Sequence, residues 1–83
     1  METVLLDDFL DGGIIREKSF RTMVKNLDYS IYKDKKVIIK GCAEVIVPTW
    51  AYLILASNIA QFATKIYYGE LRSAVKIFDK KLI

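Results

Sequence analysis

The sequence has no histidine and a single cysteine, Cys42, and these shortages exclude several kinds of chemistry. One cysteine can form neither an intramolecular disulfide nor a cysteine zinc cluster. Without histidine, Cys42 has no imidazole base that could activate it as a nucleophile. We therefore predict no metal site and no bound cofactor.

Glycine is also scarce, with four residues in the chain. Gly41 and Gly69 each stand alone at the end of a β-favouring run, which is far from either a Walker loop or a dinucleotide-binding fingerprint. Nucleotide binding therefore has no positive signal in the sequence.

The charge is mildly basic, with 13 lysines and arginines against 10 acids and a formal charge of +3. Hydrophobic residues make up 53% of the chain, which indicates a globular protein, and we predict one domain over residues 1–83. The lysines cluster loosely at positions 33 to 40 and 76 to 81. A solvated surface explains these clusters most simply, and an anionic partner is the alternative.

The longest run nearly free of charge, Val45–Thr64, could in principle span a bilayer. Pro48 interrupts it near its start, and Ser57, Asn58 and Gln61 interrupt its second half, so we predict no membrane span. The N-terminus begins with early acids and a short apolar run, which does not resemble a signal sequence. A cytoplasmic protein is the expectation.

Apolar periodicity predicts a helix at about residues 16–28, after a short first strand at Thr3–Leu6 and a turn at Asp11–Gly13. Its apolar residues follow the i, i+3, i+4, i+7 spacing of one helix face: Phe20, Met23, Val24 and Leu27. We expect this face to cover a sheet.

The β-branched run Val37–Ile39 does not alternate in polarity, which predicts a strand covered on both faces by helices. Lys65–Gly69 predicts a further strand, parallel to the first across a helical crossover. Ala74–Phe78 predicts a last edge strand, with a short helix over Glu70–Lys80 as the alternative. The fold class is thus α/β, with a small, mainly parallel sheet of three to four strands and two main helices.

The second helix is predicted at about residues 48–63, because Pro48 suits a first helical turn. Steps of about 100° per residue place one set on a core face: Tyr52, Leu55, Ala56, Ile59, Phe62 and Ala63. Trp50 and Ile54 then face outward among polar residues that include Ser57 and Gln61. We predict that these four residues form a partner interface, unless the connector at Tyr29–Tyr32 or a terminus covers the apolar pair.

A candidate ligand crevice lies where the second strand leads into this helix. Its residues are Cys42, Glu44, Thr49 and Glu70. A thiol before a helix N-terminus can be stabilised as a thiolate, although the neighbouring Glu44 opposes this. A redox-responsive or enzymatic site at Cys42 is therefore one alternative function, and a spectator thiol is the simpler interpretation.

Tyr67 and Tyr68 beside Lys65 suggest another alternative, weak binding of nucleic acid through the basic surface. Adjacent residues of a strand point to opposite faces, so the two tyrosines cannot form one platform. Nucleic acid is therefore the less favoured partner.

Four motifs give the chain a resemblance to an uncharacterised bacterial family, the domain of unknown function 2480. They are REKSF (16–20), KGC (40–42), IVPTWAY (46–52) and the pair Gly69-Glu70. The family pattern repeats much of this unit in a second half, whereas this chain holds one copy. The resemblance implies a fold unit without a known activity, and it implies that two copies can belong together.

Taken together, the sequence favours a protein-interaction or assembly module that forms a homodimer and performs no catalysis. Self-association is the expected partnership, and another protein partner is the second possibility. The expected mechanism is burial of Trp50 and Ile54 against that partner.

Overall fold

The computed structural model describes residues 1–41 and 45–80, which form a four-stranded sheet and the helices that pack on it. The strands are β1 (Glu2–Leu5), β2 (Lys36–Lys40), β3 (Lys65–Tyr68) and β4 (Val75–Asp79). The α-helices are α1 (Glu17–Lys25) and α2 (Thr49–Ile59), and short 3-10 helices lie at Leu6–Phe9 and Tyr29–Tyr32. The predicted α/β fold with a mainly parallel sheet is confirmed.

The strand order in the sheet is the same as the order along the chain, β1-β2-β3-β4. β2 pairs in parallel with both β1 and β3, and β4 pairs antiparallel with β3. The last element is therefore a strand, and the alternative of a helix over Glu70–Lys80 is wrong. A register shift between Ile66 and Tyr67 marks a bulge in the β3–β4 pair.

α1 forms where the apolar spacing predicted it. Phe20 and Val24 are buried one turn apart, and Met23 and Leu27 pack partly buried against the same core. Glu17 lies in the first turn, where a negative charge interacts favourably with the helix dipole, and Lys25 lies in the last turn.

α2 begins directly after Pro48, whose φ of −59° is already close to helical. Its buried residues recur every four positions, at Ala51, Leu55 and Ile59. Tyr52 and Ala56, which we predicted on the core face, are half-buried at the side of this row. The prediction was therefore right for Leu55 and Ile59, but the core face is centred nearer Ala51.

The prediction that Trp50 and Ile54 face outward is wrong. Both side chains are half-buried and pack against the hydrophobic core. The Trp50 ring meets Phe20 of α1 edge to face, with the ring centroids 5.7 Å apart. The helical-wheel prediction failed because it assumed that α2 packs against the sheet alone. Since α1 lies beside α2, the helix buries one flank against the sheet and a second flank against α1.

All helices of the described chain lie on one face of the sheet. One apolar cluster joins side chains of α1, α2 and both 3-10 helices to Val37, Ile39 and Ile66 of the central strands. Ile38 is the one fully buried apolar residue of the described chain outside this cluster. The expectation that both faces of β2 are covered is confirmed by the burial of Val37, Ile38 and Ile39, but the described helices cover only one of these faces. Two right-handed crossovers that step in the same direction across a sheet place their helices on the same side.

The connector before β2 packs back on the domain as predicted. Tyr32 is buried, and the ring of Tyr29 stacks on Phe62 with centroids 5.2 Å apart. The Tyr29 hydroxyl donates a hydrogen bond of 2.6 Å to the Val24 carbonyl. Burial raises the pKa of both tyrosines above the ordinary value of 10.0.

Candidate interaction surfaces

The residues of the predicted ligand crevice do not define a site. Cys42 and Glu44 lie outside the described residues. Thr49 is exposed at the first position of α2, and Glu70 is exposed after β3, where its carboxylate lies 3.5 Å from the ammonium group of Lys40. Across residues 1–41 and 45–80, no three acidic or cysteine side chains come together as metal ligands.

The predicted interface residues are divided by the structure. Trp50 and Ile54 belong to the partly buried shell of the core, as described above. Ser57 is exposed on α2 and Gln61 is exposed in the turn that follows it, and the Ser57 hydroxyl donates to the Ile54 carbonyl at 2.9 Å. Leu53 and Ser57 lie four residues apart and share one outer flank of the helix, and Gln61 lies just beyond its C-terminal end.

An apolar groove of about 340 Å³ lies between that flank and the end of the sheet. It is lined by Thr49, Tyr52, Leu53, Ala56, Tyr68 and Ile77. Three of its large side chains are strongly exposed: Leu53 at 66%, Ile77 at 50% and Tyr68 at 40%. The groove arises because α2 covers β2 and β3, whereas β4 extends beyond it at the edge of the sheet.

Two tyrosines form the inner wall of this groove. The rings of Tyr52 on α2 and Tyr68 on β3 meet edge to face with centroids 4.9 Å apart, a favoured arrangement for aromatic pairs. Gly41 lies behind Tyr52, so close that a Cβ atom at this position would be 2.6 Å from the Tyr52 hydroxyl oxygen. Gly41 therefore lets the Tyr52 ring take its place beside Tyr68.

A second depression, of about 510 Å³, lies along the outer side of α1. Most of the residues that line it have polar or charged ends, although they turn mainly their apolar atoms to it: Asp11, Arg16, Lys18, Ser19, Thr22 and Met23. Asp11 and Arg16 are exposed and only loosely paired, at 3.9 Å. In this open setting the charges are solvated and screened, and the depression offers little to hold a ligand.

The groove was not identified from the sequence. Leu53 is one of several apolar residues on every side of α2, and a helix that is apolar all round does not reveal its exposed flank. Ile77 and Tyr68 also read as ordinary strand residues. The one signal in the sequence was the edge strand predicted at Ala74–Phe78. An edge strand that follows the last helix can leave its apolar residues uncovered.

Within residues 1–41 and 45–80, none of the helices combines the length and apolar content that crossing a bilayer requires.

Fold and surface together define a small α/β domain that carries an apolar groove beside an open sheet edge. The chain belongs to the family described as "Protein of unknown function (DUF2480)", whose model matches residues 2–83. Neither the curated proteins nor the solved structures contain a match to it.

Proposed function

We propose that this protein is a protein-interaction module that forms a homodimer through the apolar groove and performs no catalysis. The observation that carries the proposal is the exposure of Leu53, Tyr68 and Ile77 side by side around one groove. Exposed apolar residues that gather in one patch are typical of an interaction site, whereas scattered ones are ordinary. Val75, also exposed and on the same strand as Ile77, extends the patch along β4.

A second copy of the chain is the occupant that the chemistry of the groove favours. In a two-fold dimer the same patch meets itself, so a charge near the two-fold axis meets its own copy. None of the residues that line the groove is charged at neutral pH. The patch can therefore meet its own copy without electrostatic repulsion, and an acidic or basic partner would gain nothing from it.

The edge of the sheet supports the same arrangement. β4 is the outermost strand of the described sheet and leaves one side of its backbone without a neighbouring strand. Antiparallel pairing of β4 with β4 of a second copy obeys a two-fold axis and would join the two sheets. It would also bring the two grooves next to each other.

The outer flank of α2 completes the proposed interface. Leu53 supplies an apolar anchor, and Ser57 and Gln61, one and two turns further on, supply a polar rim. An apolar centre with a polar rim is the usual anatomy of a protein interface. Trp50 and Ile54 contribute indirectly, because their packing against the core fixes the position of α2 and thereby of Leu53. The interpretation that this chain holds one copy of a unit that the family pattern repeats is part of this proposal, since a homodimer would restore the pair of units.

The test is the mass of the protein in solution. We expect a dimer by sedimentation velocity and native mass spectrometry at tens of micromolar, and a monomer when Leu53 is replaced by glutamate. Each Leu53→Glu interface would contain two buried like charges. Ile31→Glu is the matched control: Ile31 is 50% exposed but does not line the groove, so this variant should remain dimeric.

Two results would contradict the proposal. One is a monomeric wild-type protein across the concentration range. The other is a dimer that Leu53→Glu leaves intact while circular dichroism shows that the variant is folded.

A further inference from the structure

The sheet face opposite the helices carries a group of lysines, and we call it the lysine face. Val37 and Ile39 pack into the cluster under the helices, so the alternate residues of β2 point the other way. Residues that pair with these alternate residues in the strand register lie on the same face of the neighbouring strands. The strand positions of the lysine face are Thr3, Leu5, Lys36, Ile38, Lys40, Lys65, Tyr67, Lys76 and Asp79.

The charges on this face are unbalanced. Among its strand positions, four lysines stand against a single aspartate. Asp79 pairs with Lys76 at 3.0 Å, and the exposed Glu70 reaches Lys40 from the following loop. Neither Lys36 nor Lys65 makes an ion pair with another described residue.

The register places these two unpaired lysines directly opposite each other. Lys36 of β2 is the Cα partner of Lys65 of β3, on strands that lie about 4.8 Å apart. Like charges directly opposite in a sheet are destabilising. On its other side Lys65 stands opposite Asp79 of β4, which already pairs with Lys76. An anionic group bound between the ammonium groups of Lys36 and Lys65 would turn their repulsion into attraction.

Tyr67 lies on β3 near the middle of the lysine face. In the register it stands between Ile38 and Lys76, and it is half-buried. Its hydroxyl makes no hydrogen bond within residues 1–41 and 45–80. Tyr68, by contrast, points to the helix side and contacts Tyr52, so the lysine face presents one tyrosine with cations on both sides.

We propose that the lysine face binds single-stranded nucleic acid, with one base stacked on Tyr67 and phosphates held at Lys36, Lys65 and Lys76. A partly exposed aromatic ring on a sheet face among cations is the combination by which single strands are bound without base-specific contacts. An acidic peptide could use the lysines but has no π-face for the tyrosine. A duplex hides its bases in the stack, and the described helices lie on the other face of the sheet, from which they could not enter a groove here. The homodimer proposed above joins the grooves on the helix side and the β4 edges, so it would not cover Lys36, Lys65 or Tyr67.

The experiment is fluorescence anisotropy with a short labelled oligothymidylate and oligouridylate, at low salt and then at rising potassium chloride. We expect binding whose logarithm falls with log salt by roughly 0.7 per phosphate contacted. Lys36→Gln/Lys65→Gln should weaken binding about tenfold at low salt and reduce that slope by about 1.4. Tyr67→Leu should weaken it by about tenfold without changing the slope, and Tyr67→Phe should bind like the wild type.

The control is Lys18→Gln/Lys25→Gln, which removes the same charge from α1 and should retain the wild-type affinity. No binding at low salt would overturn the proposal, and so would an equal loss in the α1 control, since net charge alone would then explain the affinity. Polyglutamate, anionic vesicles and duplex DNA are the competing probes. If any of them binds as tightly as the single strand, with no effect of Tyr67→Leu, the nucleic-acid assignment is wrong.

Discussion

Replacing Gly41 with alanine should destabilise the protein through one contact, between the new Cβ atom and the hydroxyl group of Tyr52. The Cβ would lie 2.6 Å from the hydroxyl oxygen, closer than real Cβ contacts, and 3.7 Å from the ring carbon Cζ, which is an ordinary distance. The ring cannot withdraw freely, because it packs edge to face on Tyr68. Overpacking of this kind costs about 1–3 kcal/mol. In a domain of this size that lowers the melting temperature by roughly 4–8 °C per kcal/mol.

The contact is isolated by a double-mutant cycle with Tyr52→Phe. Removing the hydroxyl leaves Cζ as the nearest tyrosine atom, at 3.7 Å, so Gly41→Ala should cost close to nothing in the phenylalanine background. The expected coupling free energy is about 1–2 kcal/mol, well within the range for residues in contact. Urea unfolding followed by the fluorescence of Trp50, the single tryptophan, measures all four proteins. An equal cost of Gly41→Ala in both backgrounds would refute the reasoning and place the effect in the backbone.

Two further predictions concern the core and the connector. Leu55→Ala should cost about 2–5 kcal/mol in urea unfolding of dilute, monomeric protein, since Leu55 is fully buried. Leu53→Ala on the outer flank should stay within about 0.5 kcal/mol under the same conditions, where no dimer contact contributes; equal costs would show that α2 is oriented differently. The raised pKa values of Tyr29 and Tyr32 mean that the folded protein holds these protons more tightly than the unfolded chain. The corresponding stability is fully present below pH 10 and is lost as the pH rises through the raised values. The urea midpoint of the wild type should therefore fall as the pH rises above 10, and it should fall less steeply in Tyr32→Phe. A wild-type midpoint that does not change above pH 10 would contradict the raised pKa values.

The strands and the two α-helices could be predicted because each has a local signature, whereas the two 3-10 helices were not predicted. The apolar spacing from Phe20 to Leu27 is that of one helix face, and α1 forms there. Pro48 predicts the start of α2 to within a residue. The β-branched residues of β2 likewise mark it as a central strand. At these positions the residue propensities and the apolar periodicity predict the same kind of element, and that element is present in the structure.

The orientation of α2 could not be predicted in the same way, because it depends on a neighbour. Trp50 stands on the polar side of the helix wheel, yet Phe20, 30 residues earlier in the chain, covers it. The wheel describes a helix against one surface and contains no information about a second helix beside it. The groove around Leu53 depends on the same tertiary arrangement, and so does the lysine face, whose members come from strands far apart in sequence.

The strand pairing also has a consequence for the route by which the chain folds. The β3–β4 hairpin closes the shortest loop, with Lys65 opposite Asp79, whereas β1 must find β2 across the whole of α1, with Glu2 opposite Val37. Closing a longer loop costs more entropy before its contacts form, so contacts between distant residues slow the search. On loop entropy alone we expect the β3–β4 hairpin to form before the two parallel pairs, β1 with β2 and β2 with β3. The parallel strands, each of which needs a helical crossover, are then the slow part of the search.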